Sequence, residues 1–257
     1  MPKLVGLGDT HGHHTELMAL FQKLLDSGFD PEHDTLVGLG DYCDGGPDSK
    51  AVIDQLMAWE RQYPHWVFLK GNHCQMMLDA LAMRHNPSIW NHWWGQGGKA
   101  TAMSYLPKDA SDYERALMQP ENYIDPKHLD WLRRRPLMFD HPSFYFVHAG
   151  FRPRIPIEQQ SAEDMTWIRE DFFNLRFDFG KPVIFGHTPM PEPRVFRALV
   201  SPEPVKPIVA VGIDTMIGDY GKLTAVELDP DQPQAEPIFH QVDAVAGPWS
   251  AFKGFGR

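Results

Sequence analysis

The sequence has few cysteines, no leader-like apolar segment at its start and fewer basic than acidic residues. Its 257 residues include only two cysteines, Cys43 and Cys74, which are too few for a disulfide framework and agree with a reducing compartment. The first residues, MPKLVGLGD, contain neither the charged and apolar regions of a secretory signal nor the roughly 18 apolar residues of a membrane-spanning helix. We therefore expect a cytoplasmic protein without a membrane partner.

Positive charge is also scarce. The 24 Lys and Arg residues are outnumbered by 34 Asp and Glu residues, so the formal net charge is −10. A protein that binds along a nucleic-acid backbone needs the opposite balance. We expect an acidic surface and no nucleic-acid partner. The composition leaves the oligomeric state open.

The order of apolar runs predicts an α/β protein. With 42% hydrophobic content, the chain can bury one large core, and we predict a single domain over residues 1–257. Strand-like runs (KLVGLGD, DTLVGLGD and HWVFLKGNH) alternate with helical patterns, such as the one from Thr15 to Gly28 and QMMLDALAMR. A helical insertion is predicted around 85–135, and β-type runs such as SFYFVHAG, KPVIFGHT and KPIVAVGIDT follow it. The Pro-rich segment 189–207 is predicted to be a surface loop.

Residue types that bind metals follow five of these strand-like runs. They are Asp9, His11, Asp41, Asn72, His73, His148 and His187. Ligands collect beyond the carboxyl ends of the strands in α/β sheets, so we expect these side chains to converge. One of them alone would be a weak signal, since Gly-Asp is common in turns and a lone His is usually hydrogen-bonded. Together they form the ligand set for two divalent ions, such as Mn²⁺, Fe or Zn²⁺, that share one carboxylate.

Five motifs carry a resemblance to a known family. GDTHG (8–12), GDYCDGG (40–46), GNHC (71–74), HAG (148–150) and FGHT (185–188) resemble the calcineurin-like metallophosphoesterases. More narrowly, the chain is similar to the bacterial branch of the phosphoprotein phosphatases, which are relatives of phage and bacterial serine/threonine phosphatases. The resemblance covers most of the chain and implies a β-sandwich of two mixed sheets flanked by helices.

The resemblance also implies a role for each motif residue. The first metal would be held by Asp9, His11 and Asp41. The second would be held by Asp41, Asn72, His148 and His187. His73 corresponds to the family's general acid and Asp44 to the carboxylate that pairs with it, while the two metals, with Mn²⁺ the first expectation, would supply a bridging hydroxide for in-line attack.

Two positions depart from the family pattern. Gly45 stands where the family has an Arg that grips the substrate phosphate, so one bidentate clamp is absent. Cys74 stands where the family usually has Glu. If that Arg and Glu face each other, losing both avoids burying one charge alone, and we expect a restored Arg at Gly45 to be tolerated only together with Glu at Cys74.

The remaining phosphate-binding candidates are two arginines. Arg169, in TWIRE, corresponds to the family's other phosphate-contacting Arg. Arg152, just after HAG, is a second candidate, and an ordinary solvated surface role is an equal alternative for it. The loss of one clamp at Gly45 favours a bulkier or less charged ester, such as a diester or a nucleotide, over a phosphoserine peptide.

Three functions are left open. The first is a dimetal phosphoester hydrolase, by family default a phosphomonoesterase like the serine/threonine protein phosphatases. The second is a phosphodiesterase or dinucleoside polyphosphate hydrolase on the same scaffold, and the third is a non-catalytic metal-binding module.

The two cysteines are expected to pack near the metals, with zinc ligation or a redox pair as alternatives. The cluster WNHWWG (90–95) is expected to pack in the core or a lid, with nucleobase stacking as the alternative.

Overall fold

Two five-stranded mixed sheets form the centre of the fold in the computed structural model, which describes residues 2–107, 117, 119–201, 205–218 and 221–245. The strands are β1 (Leu4–Leu7), β2 (Thr35–Gly38), β3 (Val67–Phe68), β4 (Met138–Asp140), β5 (Tyr145–Val147), β6 (Val183–Phe185), β7 (Arg194–Arg197), β8 (Ile208–Gly212), β9 (Lys222–Leu228) and β10 (Ile238–Asp243). The helices are α1 (His14–Asp26), α2 (Ser49–Gln62), α3 (Asn72–Ala82), α4 (Pro87–Trp93), α5 (Lys99–Tyr105), α6 (Pro126–Arg133), α7 (Ala162–Trp167) and α8 (Glu170–Phe173).

Both sheets mix parallel and antiparallel pairs. In the first sheet the order is β10-β9-β1-β2-β3, where β1, β2 and β3 are parallel and β9 is antiparallel to both neighbours. In the second the order is β4-β5-β6-β8-β7, where β5, β6 and β8 are parallel and the two edge strands are antiparallel. Parallel neighbours end at the same edge of a sheet, so each sheet presents several strand ends together.

The two sheets pack face to face as a sandwich. Their shared core includes Val37 and Leu39 from the first sheet and its flank, and Phe146 and Ile184 from the second. Helices α1, α2, α3 and α6 cover the outer face of the first sheet, while α7 and α8 cover that of the second. The predicted α/β fold with two mixed sheets and flanking helices is confirmed.

Local sequence signals explain where several helices begin. Asp48 accepts a hydrogen bond from the Ala51 N–H at 3.0 Å and caps α2, and Asp125 caps α6 ahead of a proline at its first position. These are the residue types that satisfy the free N–H groups of a first turn. Helix α3 starts at Asn72, three residues before the predicted run QMMLDALAMR, so Asn72 lies at its beginning.

The Pro-rich segment 189–207 differs from the prediction because it contains an edge strand. Strand β7 (Arg194–Arg197) pairs with β8, and the side chain of its residue Phe196 is buried. An edge strand tolerates neighbouring prolines because one of its sides needs no backbone partner. The one-domain organisation and the insertion boundaries stay predictions, since 1, 108–116, 118, 202–204, 219–220 and 246–257 lie outside the described residues. No helix of the described part has the length and apolar character to cross a membrane.

Candidate metal centre and active site

The predicted ligands lie where strands from both sheets end. Asp9 and Asp41 follow the neighbouring strands β1 and β2, and Asn72 opens the helix after β3. His148 follows β5 directly, and His187 comes two residues after β6. All five side chains are buried. The sandwich therefore brings together residues that are up to 178 positions apart, as the Asp9–His187 hydrogen bond shows.

One half of the centre is built around the amide oxygen of Asn72. Asn72 Oδ1 lies 2.8 Å from His148 Nε2 and 2.9 Å from His187 Nδ1. Asp41 Oδ2 lies 3.3 Å from the same His148 nitrogen. Ligand-type atoms of Asp41, His148 and His187 all lie within 4.8 Å of one another.

Backbone hydrogen bonds determine which nitrogen of these two histidines faces the centre. His148 Nδ1 donates to the Leu39 carbonyl at 3.0 Å, and His187 Nε2 donates to the Trp167 carbonyl at 3.2 Å. When such a ring is neutral, its other nitrogen carries a lone pair that points at the oxygen atoms around Asn72. A bound cation converts this convergence of lone pairs into ligation, and backbone hydrogen bonds of this kind orient metal-binding histidines.

The other half contains His11 and Asp9. His11 Nδ1 lies 3.1 Å from the carbonyls of both Cys43 and Asp44, which leaves Nε2 unprotonated, 3.9 Å from Asp41 Oδ2. Asp9 Oδ1 is buried without a hydrogen-bond partner among the described residues. An orphaned buried carboxylate oxygen is costly unless a cation binds it. Asp9 does not belong to either compact group of ligand-type atoms in the described part, whereas His11 and Asp41 form one with His73.

Glycines make room for the carboxylates. A Cβ on Gly186 would lie 2.1 Å from Asp9 Oδ1, and one on Gly71 would lie 2.0 Å from Asp41 Oδ1. The backbone is also strained here, because Asp41 has a φ of 47° and His187 a φ of 60°. Strain of this kind persists only where the surroundings hold it, and it clusters at functional sites.

The electrostatics favour a cation at the same place. Burial raises the pKa of Asp9, and the neighbouring Asp214 raises it further. Burial alone would lower the pKa of His148, but Asp41 outweighs it and raises that pKa to about 9. The unbalanced negative charge that stabilises an imidazolium also attracts a divalent ion. The metal-binding atoms available here are oxygen and imidazole nitrogen, and one of them, Asp9 Oδ1, has no other partner among the described residues. This set of atoms fits the divalent metals of the prediction.

Asp214 is a buried carboxylate that the sequence prediction missed. It follows β8 in the segment GIDT, and its Oδ1 accepts the Met216 N–H at 2.7 Å. Burial raises its pKa to about 6, and Asp41 contributes to the rise. The available signal was the one used for the other positions, an Asp directly beyond an apolar strand.

His73 is paired with Asp44. His73 Nδ1 lies 3.0 Å from Asp44 Oδ2, and Asp44 is fully buried. Burial by itself lowers the pKa of His73, but the carboxylates of Asp41 and Asp44 outweigh it and raise the pKa to about 9. Since Nδ1 is engaged, Nε2 is the nitrogen that can deliver a proton.

The second oxygen of Asp44 is held by two residues from the helical insertion. Trp93 Nε1 donates to Asp44 Oδ1 at 3.0 Å, and Thr101 Oγ1 donates to the same atom at 2.7 Å. Trp93 is fully buried, while Trp90 and Trp94 stack on each other nearby at 5.2 Å. The insertion thus fixes the carboxylate that orients His73, and Trp93 packs in the core as expected.

Replacing Trp93 by Phe is expected to lower kcat about tenfold for an alkyl phosphomonoester, with little change in KM. The substitution removes one hydrogen bond to a buried carboxylate, worth about 1.5–3 kcal/mol, and loosens Asp44 without touching substrate. The matched control is Trp90→Phe, which removes an indole that packs edge-to-face on Trp93 at 5.3 Å, whereas the hydrogen bond to Asp44 comes from Trp93. Equal losses in the two variants would assign the effect to general packing.

The structure shows the surroundings of Gly45 and Cys74, the two positions that depart from the family pattern. Gly45 has a φ of 96°, and its N–H donates to the Gly97 carbonyl at 3.3 Å. An Arg in that conformation is strained whatever faces it, so adding Glu at Cys74 does not remove the cost of Arg at this position.

Cys43 and Cys74 are buried free thiols, and their mutual hydrogen bond and burial raise the pKa of Cys43. Neither joins a metal-ligand group in the described part of the chain.

The two candidate phosphate-binding arginines differ in their surroundings. Burial and the His148 charge lower the pKa of His187 to about 2, and Arg169 is near enough to contribute. Arg169 also comes two residues after Trp167, whose carbonyl accepts the His187 hydrogen bond. Arg152 is instead bound to Asp164 through Nε at 3.0 Å and Nη2 at 2.5 Å. That ion pair fits the alternative of a surface role, and its substrate-binding role stays a prediction.

Comparison with known proteins places the chain in a family. The calcineurin-like phosphoesterase model matches residues 2–218, so the chain belongs to that family and is a metal-dependent phosphoric ester hydrolase. It is 29% identical to serine/threonine-protein phosphatase 1 of Salmonella typhimurium, over 72% of this chain and 77% of that protein. It is 26% identical to the asymmetrical bis(5'-nucleosyl)-tetraphosphatase PrpE of Bacillus cereus, over 86% of this chain and 88% of that protein.

A solved structure shows the same fold. The serine/threonine phosphatase of Saccharomyces cerevisiae superposes with a TM-score of 0.60 at 13% identity, covering 96% of this chain and 81% of that chain. At this identity the likeness concerns the fold alone, and it agrees with the two mixed sheets and flanking helices described above.

Proposed function

We propose that the protein is a phosphomonoesterase that uses two divalent metal ions and His73 as its general acid. The observation that carries the proposal is the His73 Nδ1–Asp44 Oδ2 contact of 3.0 Å beside the cluster of buried ligands. An imidazole held by a buried carboxylate and kept protonated is suited to give its proton to a leaving oxygen.

The chain's own residues divide the work. Metal ions held by the six ligands would supply Lewis-acid activation of the ester and of the attacking water. The ligands proposed are Asp9, His11, Asp41, Asn72, His148 and His187. His73 transfers its Nε2 proton to the leaving alkoxide, and Asp44 holds the ring and its positive charge. Arg169, beside His187, binds a non-bridging phosphate oxygen.

The identity of the metal, the cellular location and the substrate class are further parts of the proposal. Mn²⁺ is preferred, with Fe or Zn²⁺ as alternatives, because the donors are carboxylate, amide and imidazole groups and the described ligand groups contain no thiolate. The two free, buried cysteines agree with the cytoplasm. A phosphorylated protein is the first substrate class, as in the Salmonella relative's name.

A second candidate function is hydrolysis of a phosphodiester or a dinucleoside polyphosphate. Gly45, whose φ of 96° disfavours any other residue, leaves the site without one arginine clamp, which weakens binding of a dianionic phosphomonoester. The Bacillus cereus relative, matched over most of both chains, is by name a bis(5'-nucleosyl)-tetraphosphatase. Both candidates use the same metal ligands and the same His73.

The test compares p-nitrophenyl phosphate with bis(p-nitrophenyl) phosphate as substrates of the Mn²⁺-loaded protein. We expect a higher kcat/KM for the monoester, because Arg169 and the metals together meet a dianion. Asp41→Asn serves as the control for contaminating activity. Preference for the diester would transfer the proposal to the second candidate. Inactivity on both esters, in protein shown by metal analysis to hold two ions, would favour the binding module.

A further inference from the structure

A cavity of about 310 Å³ lies between α3, α4 and the end of α7. Its walls are formed by Met76, Asp79, Ser88, Ile89, His92 and Trp167. Residues three apart on a helix are neighbours on its surface, so Met76 lies beside His73 on α3, and Asp79 lies beside Met76 one step further around the helix. The cavity therefore borders the part of α3 next to His73 through Met76.

The opposite wall is joined to the metal centre. The Trp167 carbonyl accepts the His187 Nε2 hydrogen bond at 3.2 Å, and the indole packs edge-to-face with the His187 ring at 5.9 Å. A substrate whose phosphate lies at the metals can extend its leaving group past this indole into the cavity. Trp167 thus belongs both to the cavity wall and to the surroundings of His187.

Asp79 gives the cavity its charge. It is half-buried, and its Oδ1 accepts the Gln75 amide at 2.8 Å. Among the described residues no cationic side chain forms an ion pair with it. Lys70 is close enough to feel the Asp79 charge, but its ammonium donates to the Arg133 carbonyl at 3.0 Å. A carboxylate only accepts hydrogen bonds, so a ligand at Asp79 must be a donor, and a cation gains most.

Trp167 and two apolar residues also limit the kind of ligand that fits the cavity. Trp167 is 41% exposed, so a ligand can reach its indole, and aromatic faces attract ammonium and guanidinium groups. Met76 and Ile89 offer apolar contact for an alkyl stem. The lining is thus complementary to an apolar stem that ends in a positive charge.

We propose that this cavity is a leaving-group subsite that selects phosphoesters carrying an ammonium or guanidinium on an apolar stem, bound between Trp167 and Asp79. A basic side chain close to a phosphorylated residue has this chemistry. The inference rests on the proposed phosphomonoesterase function and names the class of substrate that the same site prefers.

The test uses two series of alkyl monophosphates of increasing chain length, which end either in an ammonium or in a methyl group. For the wild-type protein, the ratio of kcat/KM between the two series is expected to reach about fivefold at the chain length that spans the site, the size of one partly solvated cation–π or ion-pair contact. Asp79→Asn keeps the acceptor for Gln75 and is expected to return the ratio to about one.

The matched control is Asp26→Asn on α1. Asp26 is exposed and accepts the Gln22 amide at 2.9 Å, four residues earlier, so it repeats the Gln75–Asp79 arrangement outside the site. The control removes the same charge and is expected to leave the ratio unchanged. If it lowers the ratio as much as Asp79→Asn does, the preference reflects the overall negative charge and the subsite is overturned.

Other outcomes separate the subsite from the parent function. No hydrolysis of p-nitrophenyl phosphate means that the proposed function has failed. Hydrolysis of that ester with a ratio near one at every chain length overturns the subsite alone, as does an equal fall of both series in Asp79→Asn. Faster hydrolysis of 5'-nucleoside monophosphates than of any ammonium ester, again dependent on Asp79, would assign the cavity to a base and overturn the cationic preference.

Discussion

Replacing His73 by Asn is expected to slow hydrolysis of an alkyl phosphate by about 10²–10⁴-fold, the usual contribution of a positioned general acid. The same substitution is expected to slow p-nitrophenyl phosphate much less. An alkoxide is a strong base that needs a proton in order to leave, whereas p-nitrophenolate is stable at neutral pH. The measurement is kcat for both esters in wild type and variant, with metal content determined in each preparation.

The dependence on the leaving group distinguishes proton donation from metal binding. His73 shares with His11 and Asp41 a cluster of ligand-type atoms within 4.8 Å, so loss of a metal ligand is the competing explanation. In that case both esters would slow equally and the metal content would fall. The matched control is His33→Asn, since His33 Nδ1 pairs with Asp30 at 2.8 Å on the exposed surface. It is expected to change neither rate.

Replacing Gly186 by Ala is expected to lower the affinity for one metal ion about 100-fold, at the upper end of losses caused by disturbing the support of a ligand. The added Cβ would lie 2.1 Å from Asp9 Oδ1, closer than any real contact. Asp9 must therefore turn away, and it also loses the His187 N–H that its Oδ2 accepts at 2.9 Å. The measurement is metal binding by titration calorimetry, together with kcat for p-nitrophenyl phosphate.

Gly95→Ala is the matched control for this change. A Cβ on Gly95 meets nothing within 4 Å, so metal affinity and activity are expected to stay at wild-type values. Thermal unfolding of the metal-free proteins shows whether Gly186→Ala remains folded. The contacts of its Cβ are with the Asp9 side chain, so we expect a folded variant. A folded variant that binds both metals with unchanged affinity would contradict the assignment of Asp9 as a ligand.

Hydrophobic periodicity was sufficient to predict most of the elements that carry the site. Apolar runs with β-type spacing precede Asp9, Asp41 and His148, and each proves to be a strand. The signal is local, because a strand end and the polar residue after it are neighbours in sequence. Strand β7 was missed because the prolines on both sides of it resemble those of a loop, and its formation depends on pairing with β8.

The residues that hold Asp44 next to His73 could not be predicted from local sequence patterns. Asp44 is 49 residues from Trp93 and 57 from Thr101 along the chain. Nothing in WNHWWG distinguishes an indole that holds a carboxylate from one that only packs. Asp214 was overlooked for a different reason, since the prediction assigned no role to the strand end in GIDT, although the same rule applied to it.

Residue types and their positions after strands were enough to indicate the α/β class, the family resemblance and the candidate ligands, because backbone pattern and ligand chemistry are properties of short segments. The burial of Asp79 beside Trp167, the glycine space around Asp9 and the positive φ of Gly45 arise only when two sheets and an insertion pack together. Distances and dielectric surroundings are long-range properties of the folded chain. They set the charge and the available space of a site whose candidate metal ligands are already visible in the sequence.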